Sequence, residues 1–144
     1  MVKKKKMKLG TKIAIGFGVV AAGLGALLYY LSTRVKGEEL VVGKTYYFEY
    51  IPGVPATYNI KAFVVPADFP YAYASDIVAS IEGGTGTGTG SPCTKIMRVV
   101  KWNPVERNWT VWGYSLNKWR GTNFSIGQGD VIGVQIINSF SWTP

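Results

Sequence analysis

The chain has 144 residues, with five Trp, nine Tyr, six Phe, one cysteine and no histidine. That length accommodates one domain with a core of its own plus appendages. A lone Cys93 forms no internal disulfide and, without partners, no zinc site, so no metal or cofactor is expected. Without histidine, Ser-His-Asp and Cys-His nucleophilic arrangements are excluded. The formal net charge is +8, but it is unevenly placed. Residues 1–36 carry eight basic groups (Lys3, Lys4, Lys5, Lys6, Lys8, Lys12, Arg34 and Lys36) and no acid. Residues 37–144 carry eight basic and eight acidic groups. The folded part is therefore neutral, which argues against nucleic-acid binding there.

Residues 13–31 form a run of 19 without a single charge. At about 1.5 Å per residue a helix of this length spans about 28 Å, close to a bilayer core of about 30 Å. Lys12 and Arg34 bracket it, and Tyr29 and Tyr30 stand where aromatic rings favour headgroups. This predicts a transmembrane helix over 13–31, a basic interior tail over 1–12 and a connector over 32–44. Six lysines (Lys3, Lys4, Lys5, Lys6, Lys8 and Lys12) precede the span, and only Arg34 and Lys36 follow it, offset by Glu38 and Glu39. The positive-inside rule then puts the N-terminus inside and the C-terminal domain outside, on a cell surface or a virion membrane. The six lysines are candidate headgroup contacts, at about 1 kcal/mol each. Within the span, Ala14, Gly18, Ala22 and Ala26 recur every fourth residue, widened by Ala21 and Gly25. Such a stripe of small residues lets helices pack closely in lipid, against a second copy or another protein.

Two processing alternatives stand beside the intact anchor. A secretory signal has a shorter apolar core than this one, and cleavage after the last small residues, at Gly25, would leave Ala26-Leu27-Leu28-Tyr29-Tyr30-Leu31 behind it, which disfavours that reading. Lys8-Leu9-Gly10 before an apolar helix resembles a prepilin leader, and such subunits also carry a β-rich head. Lys12 and Ile15 depart from that pattern, because bacterial pilins carry Glu where Ile15 stands.

Beyond Gly43 the pattern becomes β. Residues 45–51 place Tyr46, Phe48 and Tyr50 on one face of a strand, ended by Pro52-Gly53. Residues 58–65 predict a second strand, stopped by Pro66. Residues 74–82 predict the one helix, with Ser75 as cap, Asp76 in its first turn, and an apolar face of Ile77, Val78 and Ile81. Residues 83–91 alternate Gly and Thr and predict a flexible surface loop; they lack the Lys-Ser/Thr ending of a phosphate loop. Residues 95–102 and 108–114 predict a hairpin turning at Asn103-Pro104. In the first strand Ile96, Val100 and Trp102 are expected opposite Met97, Val99 and Lys101. In the second, Trp109 and Trp112 are expected on opposite faces. Strands are further predicted over 122–126, 131–137 and 140–143. The whole reads as a mainly β outer domain over 45–144, a small sandwich or partly open barrel with one short helix.

From about residue 58 to 134, the order of features resembles a small β-rich module of archaeal and bacterial surface proteins. The matching pieces are Val64-Val65-Pro66, Ala74-Ser75-Asp76-Ile77, Trp102-Asn103-Pro104 with Trp109 and Tyr114, and Phe124-Ser125-Ile126 with Gly129. The sequence departs from the module at Tyr58-Asn59-Ile60 and at Asp130-Val131. The resemblance implies an extracellular scaffold without catalysis.

The carboxylates Glu49, Asp68, Asp76, Glu82, Glu106 and Asp130 are scattered singly, and no catalytic set emerges. Trp109, Trp112 and Trp119, with Tyr114, are candidate interaction aromatics, able to pack a partner or line a sugar-binding face. Asn108-Trp109-Thr110 and Asn123-Phe124-Ser125 are glycosylation sequons. The reading is a non-enzymatic, single-pass, membrane-anchored structural or interaction protein. Its partners are the lipid membrane, itself or other structural proteins, and a glycan. The alternatives are a pilin-like filament subunit and a carbohydrate-binding surface module.

Overall fold

A computed structural model describes residues 39–144. The basic tail, the apolar run and the connector as far as residue 38 lie outside them. Among the described residues no helix is long and apolar enough to cross a membrane.

The described domain is mainly β and sandwich-like. Its strands are β1 (Tyr46–Phe48), β2 (Ile60–Val64), β3 (Ile96–Asn103), β4 (Asn108–Ser115), β5 (Lys118–Gly121), β6 (Val131–Ile136) and β7 (Phe140–Trp142), with one helix, α1 (Ala74–Glu82). Strands β2-β6-β3-β4-β5 form an antiparallel sheet in that order, and β1 and β7 form a separate two-stranded ribbon. The helix and the ribbon share one face of the large sheet. Between them lies a single core that includes Phe48, Phe63, Ile77, Val78, Val99, Trp112, Val134 and Trp142.

The first predicted strand is shorter than its apolar pattern. The backbone N–H of Tyr50 donates to Ser139 Oγ, and that of Ile51 donates to Asn59 Oδ1. These groups bond side chains instead of a strand ladder, so pairing stops at Phe48. Asn59 also donates from Nδ2 to the Ile51 carbonyl, and its buried amide is satisfied at both ends. A 3-10 turn over Ala56–Asn59 carries that clamp, and β2 starts only at Ile60.

Helix α1 has the predicted bounds but a different cap. Asp76 Oδ2 accepts from the N–H of Tyr73 at 2.9 Å and of Ala72 at 3.1 Å. An acidic group at the third helical position thus closes the N-terminus, where the helix dipole favours it. Ser75 is buried inside the helix, and its N–H donates to Asn123 Oδ1.

The hairpin of β3 and β4 pairs Trp102 with Trp109 and Val99 with Trp112. A bulge between Ile96 and Arg98 shifts the first residues by one. Ile96 therefore joins Val99 in the core, and the expected opposition of Ile96 to Val99 does not hold. Thr122–126 is not a strand; its sole ladder contact is a bridge from Ser125 to Tyr73. The missed strand is β5, reached through a tight turn in which Leu116 and Asn117 take φ of 52° and 66°. Two consecutive positive values are the mark of a type I′ hairpin.

Candidate functional site

Three of the candidate aromatics separate in the fold. Trp112 and Trp119 are buried in the core, and their indole N–H groups donate to the carbonyls of Gly86 and Pro92. Tyr114 packs edge-on against Trp119. These rings hold the glycine-rich segment to the sheet and present no face to a partner. Trp109 points the other way, as its alternation with Trp112 requires, and is half-buried. Its ring lies 5.0 Å from that of Trp102, directly across the β3–β4 ladder. Trp102 is not among the candidate interaction aromatics, although the predicted hairpin and the module resemblance both include it; its cross-strand register with Trp109 is the signal that joins them.

This Trp pair belongs to the face of the five-stranded sheet that turns away from α1 and the ribbon. Register places Ile60, Ala62 and Val64 on that face, together with Gly133, Val100, Val111 and Gly113. None of them belongs to the core cluster, yet Val100, at 2% exposure, and Gly133 are buried. Arg98 and Arg120 flank Gly113 on β3 and β5, one on each side. A Cβ at Gly113 would stand 3.2 Å from Cβ of Arg98, tighter than an ordinary van der Waals contact. Lys118 follows on the same side of β5. No strand of the domain contains an acidic residue.

The ion pairing repeats this asymmetry. The salt bridge among the described residues is Lys101 to Asp130 at 3.2 Å, on the core side, where Lys101 Nζ also donates to the Ser125 carbonyl. Arg98 and Arg120 have no carboxylate partner among the described residues. Trp109 Nε1 and Arg120 Nε are buried on this side of the sheet without a hydrogen-bond partner among the described residues. An unsatisfied buried donor costs about 1–3 kcal/mol.

Several carboxylates are committed to structure. Glu82 accepts from the backbone N–H of Thr94 at 2.9 Å and of Ile96 at 2.7 Å, and from that of Lys95, tying the end of α1 to the start of β3. Asp76 caps α1 and Asp130 pairs with Lys101. Burial, and secondarily the Glu82 carboxylate, push the Cys93 thiol above its ordinary value, and its S–H donates to the Ile96 carbonyl. Cys93 is thereby held as a thiol, not as a nucleophilic thiolate.

The glycine-rich segment is built around Ser91, which is 2% exposed. Ser91 Oγ accepts from the N–H of Thr85 and of Thr87, each at 3.1 Å, and contacts the Thr87 carbonyl. Gly86, at φ 74°, lies so close to α1 that a Cβ would meet the Ser75 carbonyl oxygen at 2.0 Å. The segment is thus a packed cover over the core, in contrast to the free loop its composition predicts.

Of the two sequons, Asn108 is exposed at the start of β4, with its amide 3.3 Å from Glu106 Oε1. Asn123 is tied to α1: Oδ1 accepts from Ser75 N–H and Nδ2 donates to Ser75 Oγ, both at 2.8 Å. The predicted helix-packing residues Ala14, Gly18, Ala22 and Ala26, and the six lysines of the tail, lie outside the described residues.

No protein-family model, curated protein or solved structure matches this chain.

Proposed function

We propose that the chain is a membrane-tethered structural or interaction protein that holds its β domain on the outer side. The observation that carries the reading is the division of the chain: an uncharged 19-residue run behind six lysines, then a neutral domain. The run is long enough for a bilayer, and the lysines set its direction. The half-buried Trp pair and the two arginines without carboxylate partners support an interaction role for the domain. The resemblance to a surface-protein module agrees with display outside the cell. Catalysis has no support in the residue set.

Fractionation of cells, and of any particles they release, tests the tether. The intact chain is expected in the membrane fraction and to need detergent for release. Recovery in a soluble fraction without detergent overturns the reading. The mass of the mature N-terminus separates the filament alternative: a start at Thr11 favours a pilin-like subunit and removes the intact anchor.

A further inference from the structure

The five-stranded sheet finishes its two edges differently. On β5 the Trp119 N–H donates to the Gly88 carbonyl at 2.9 Å, so the glycine-rich segment covers that edge. On β2 the Leu40 N–H donates to the Val64 carbonyl at 3.0 Å, beside a parallel bridge of Glu39 with Val64. Among the described residues, pairing on that side of β2 stops there. The next residue turns the other way: the Val65 N–H donates to the Asp130 carbonyl, just before β6. In an antiparallel strand the N–H and C=O of one residue share a side, and the side alternates along the chain. Ile60 and Ala62, in step with Val64, therefore turn their backbone groups to the free edge. Edges are ordinarily blunted by proline, bulges or charge. β2 has no proline and pairs with β6 without a register shift. Its one lysine, Lys61, leans over the Phe48 ring of the ribbon, with Nζ 5.5 Å from the centroid.

A cleft of about 280 Å³ lies beside this edge, between β2 and β1. Buried Leu40, Phe48 and Phe63 line it, and Lys44 and Lys61 stand on it without a salt bridge among the described residues. Glu39 is the carboxylate that lines it, at the Val64 end. Charge complementarity calls for an acidic partner. The backbone donors and acceptors of the edge call for an extended one, because only another strand offers both in alternation. A second copy pairing through its own β2 sets Lys44 and Lys61 against their equals. A lipid headgroup offers acceptors for the lysines but no donor for the Ala62 carbonyl.

We propose that the free edge of β2 takes an extended acidic peptide segment of another protein as an added strand. Its backbone pairs with Ile60 and Ala62, its apolar side chains enter the cleft, and its carboxylates meet Lys44 and Lys61. This rests on the interaction role proposed above and names the partner class. Alternation along the added strand lets one face fill the cleft while the other stays in water.

The test uses the full chain in nanodiscs of neutral lipid and, as probe, a short peptide alternating valine and glutamate. Binding is expected, with slowed hydrogen exchange at the Ala62 amide. The same peptide N-methylated along one edge loses two or more backbone bonds and should bind at least about tenfold more weakly. K44Q and K61Q change exposed positions, are expected to keep the wild-type melting temperature, and should each lower the affinity about threefold. No binding, unchanged exchange at Ala62, equal affinity for the N-methylated peptide or for one alternating valine and lysine, or full affinity in K44Q and K61Q each overturns the proposal. So does slowed exchange at Ala62 without peptide, whether it follows anionic lipid, which assigns the cleft to headgroups, or rising protein concentration, which assigns the edge to a second copy. Absent binding by a chain that fractionates with membranes removes the partner and leaves the tether standing. Peptide binding by a chain recovered in the soluble fraction does the reverse.

Discussion

Leu116 is the least expected residue of the domain. It takes φ of 52° and is 79% exposed, so it gains nothing from burial to offset a left-handed backbone. A non-glycine residue in that region costs about 1–2 kcal/mol, and Asn suffers less because its short polar side chain tolerates the conformation. The Leu116→Asn variant is therefore expected to be more stable by about 0.5–1 kcal/mol, read as a higher midpoint in urea with an unchanged slope. The same residue explains a missed strand. A Leu-Asn pair is not a recognisable turn signal, so nothing in the sequence marks the start of β5. By contrast, Asp76 was legible. An acid in the first turn of an apolar-periodic segment marks a helix start, although the residue it caps is Tyr73 and not Ser75.

At the scale of elements, the glycine-rich segment shows how composition can mislead. Nothing in an alternation of Gly and Thr announces a fixed structure, since both residue types are common in flexible linkers. The order comes from two side chains: Ser91 Oγ, at the end of the segment, takes the N–H groups of Thr85 and Thr87, and buried Trp112 from β4 anchors the Gly86 carbonyl. Ser91→Ala leaves the Thr85 N–H without its acceptor and the Thr87 N–H with only the longer bond to Thr85 Oγ1, and is expected to cost about 1–3 kcal/mol, measured by chemical denaturation. The hairpin of β3 and β4 was readable because Asn103-Pro104 separates two runs of strand formers. The bulge after Ile96 was not readable, since a one-residue shift leaves no mark on an alternating pattern whose both faces are partly apolar.

The whole molecule divides its aromatic residues between two jobs. Rings turned to the helix side close the core, and the Trp102–Trp109 pair packs on the opposite side of the sheet, half-buried. Trp112→Ala should therefore act on folding, costing about 3–5 kcal/mol through lost packing and the lost bond to the Gly86 carbonyl, read from the thermal or urea midpoint. It is no probe of ligand binding.

The sequence by itself determined the class of the domain, the bounds of α1 and the β3–β4 hairpin, because periodicity, a capping acid and a turn dipeptide act over a few residues. It also carries the uncharged run and the lysines that predict a tether. Only the tertiary structure decided which tryptophans face out, because a single-residue register shift exchanges the two faces of a strand. It alone set Arg98 and Arg120 side by side across Gly113, since they lie on different strands and meet only through cross-strand pairing. It alone turned residues 83–91 from a linker composition into a wall of the core, since the bonds that hold them reach from Ser91 and Trp112.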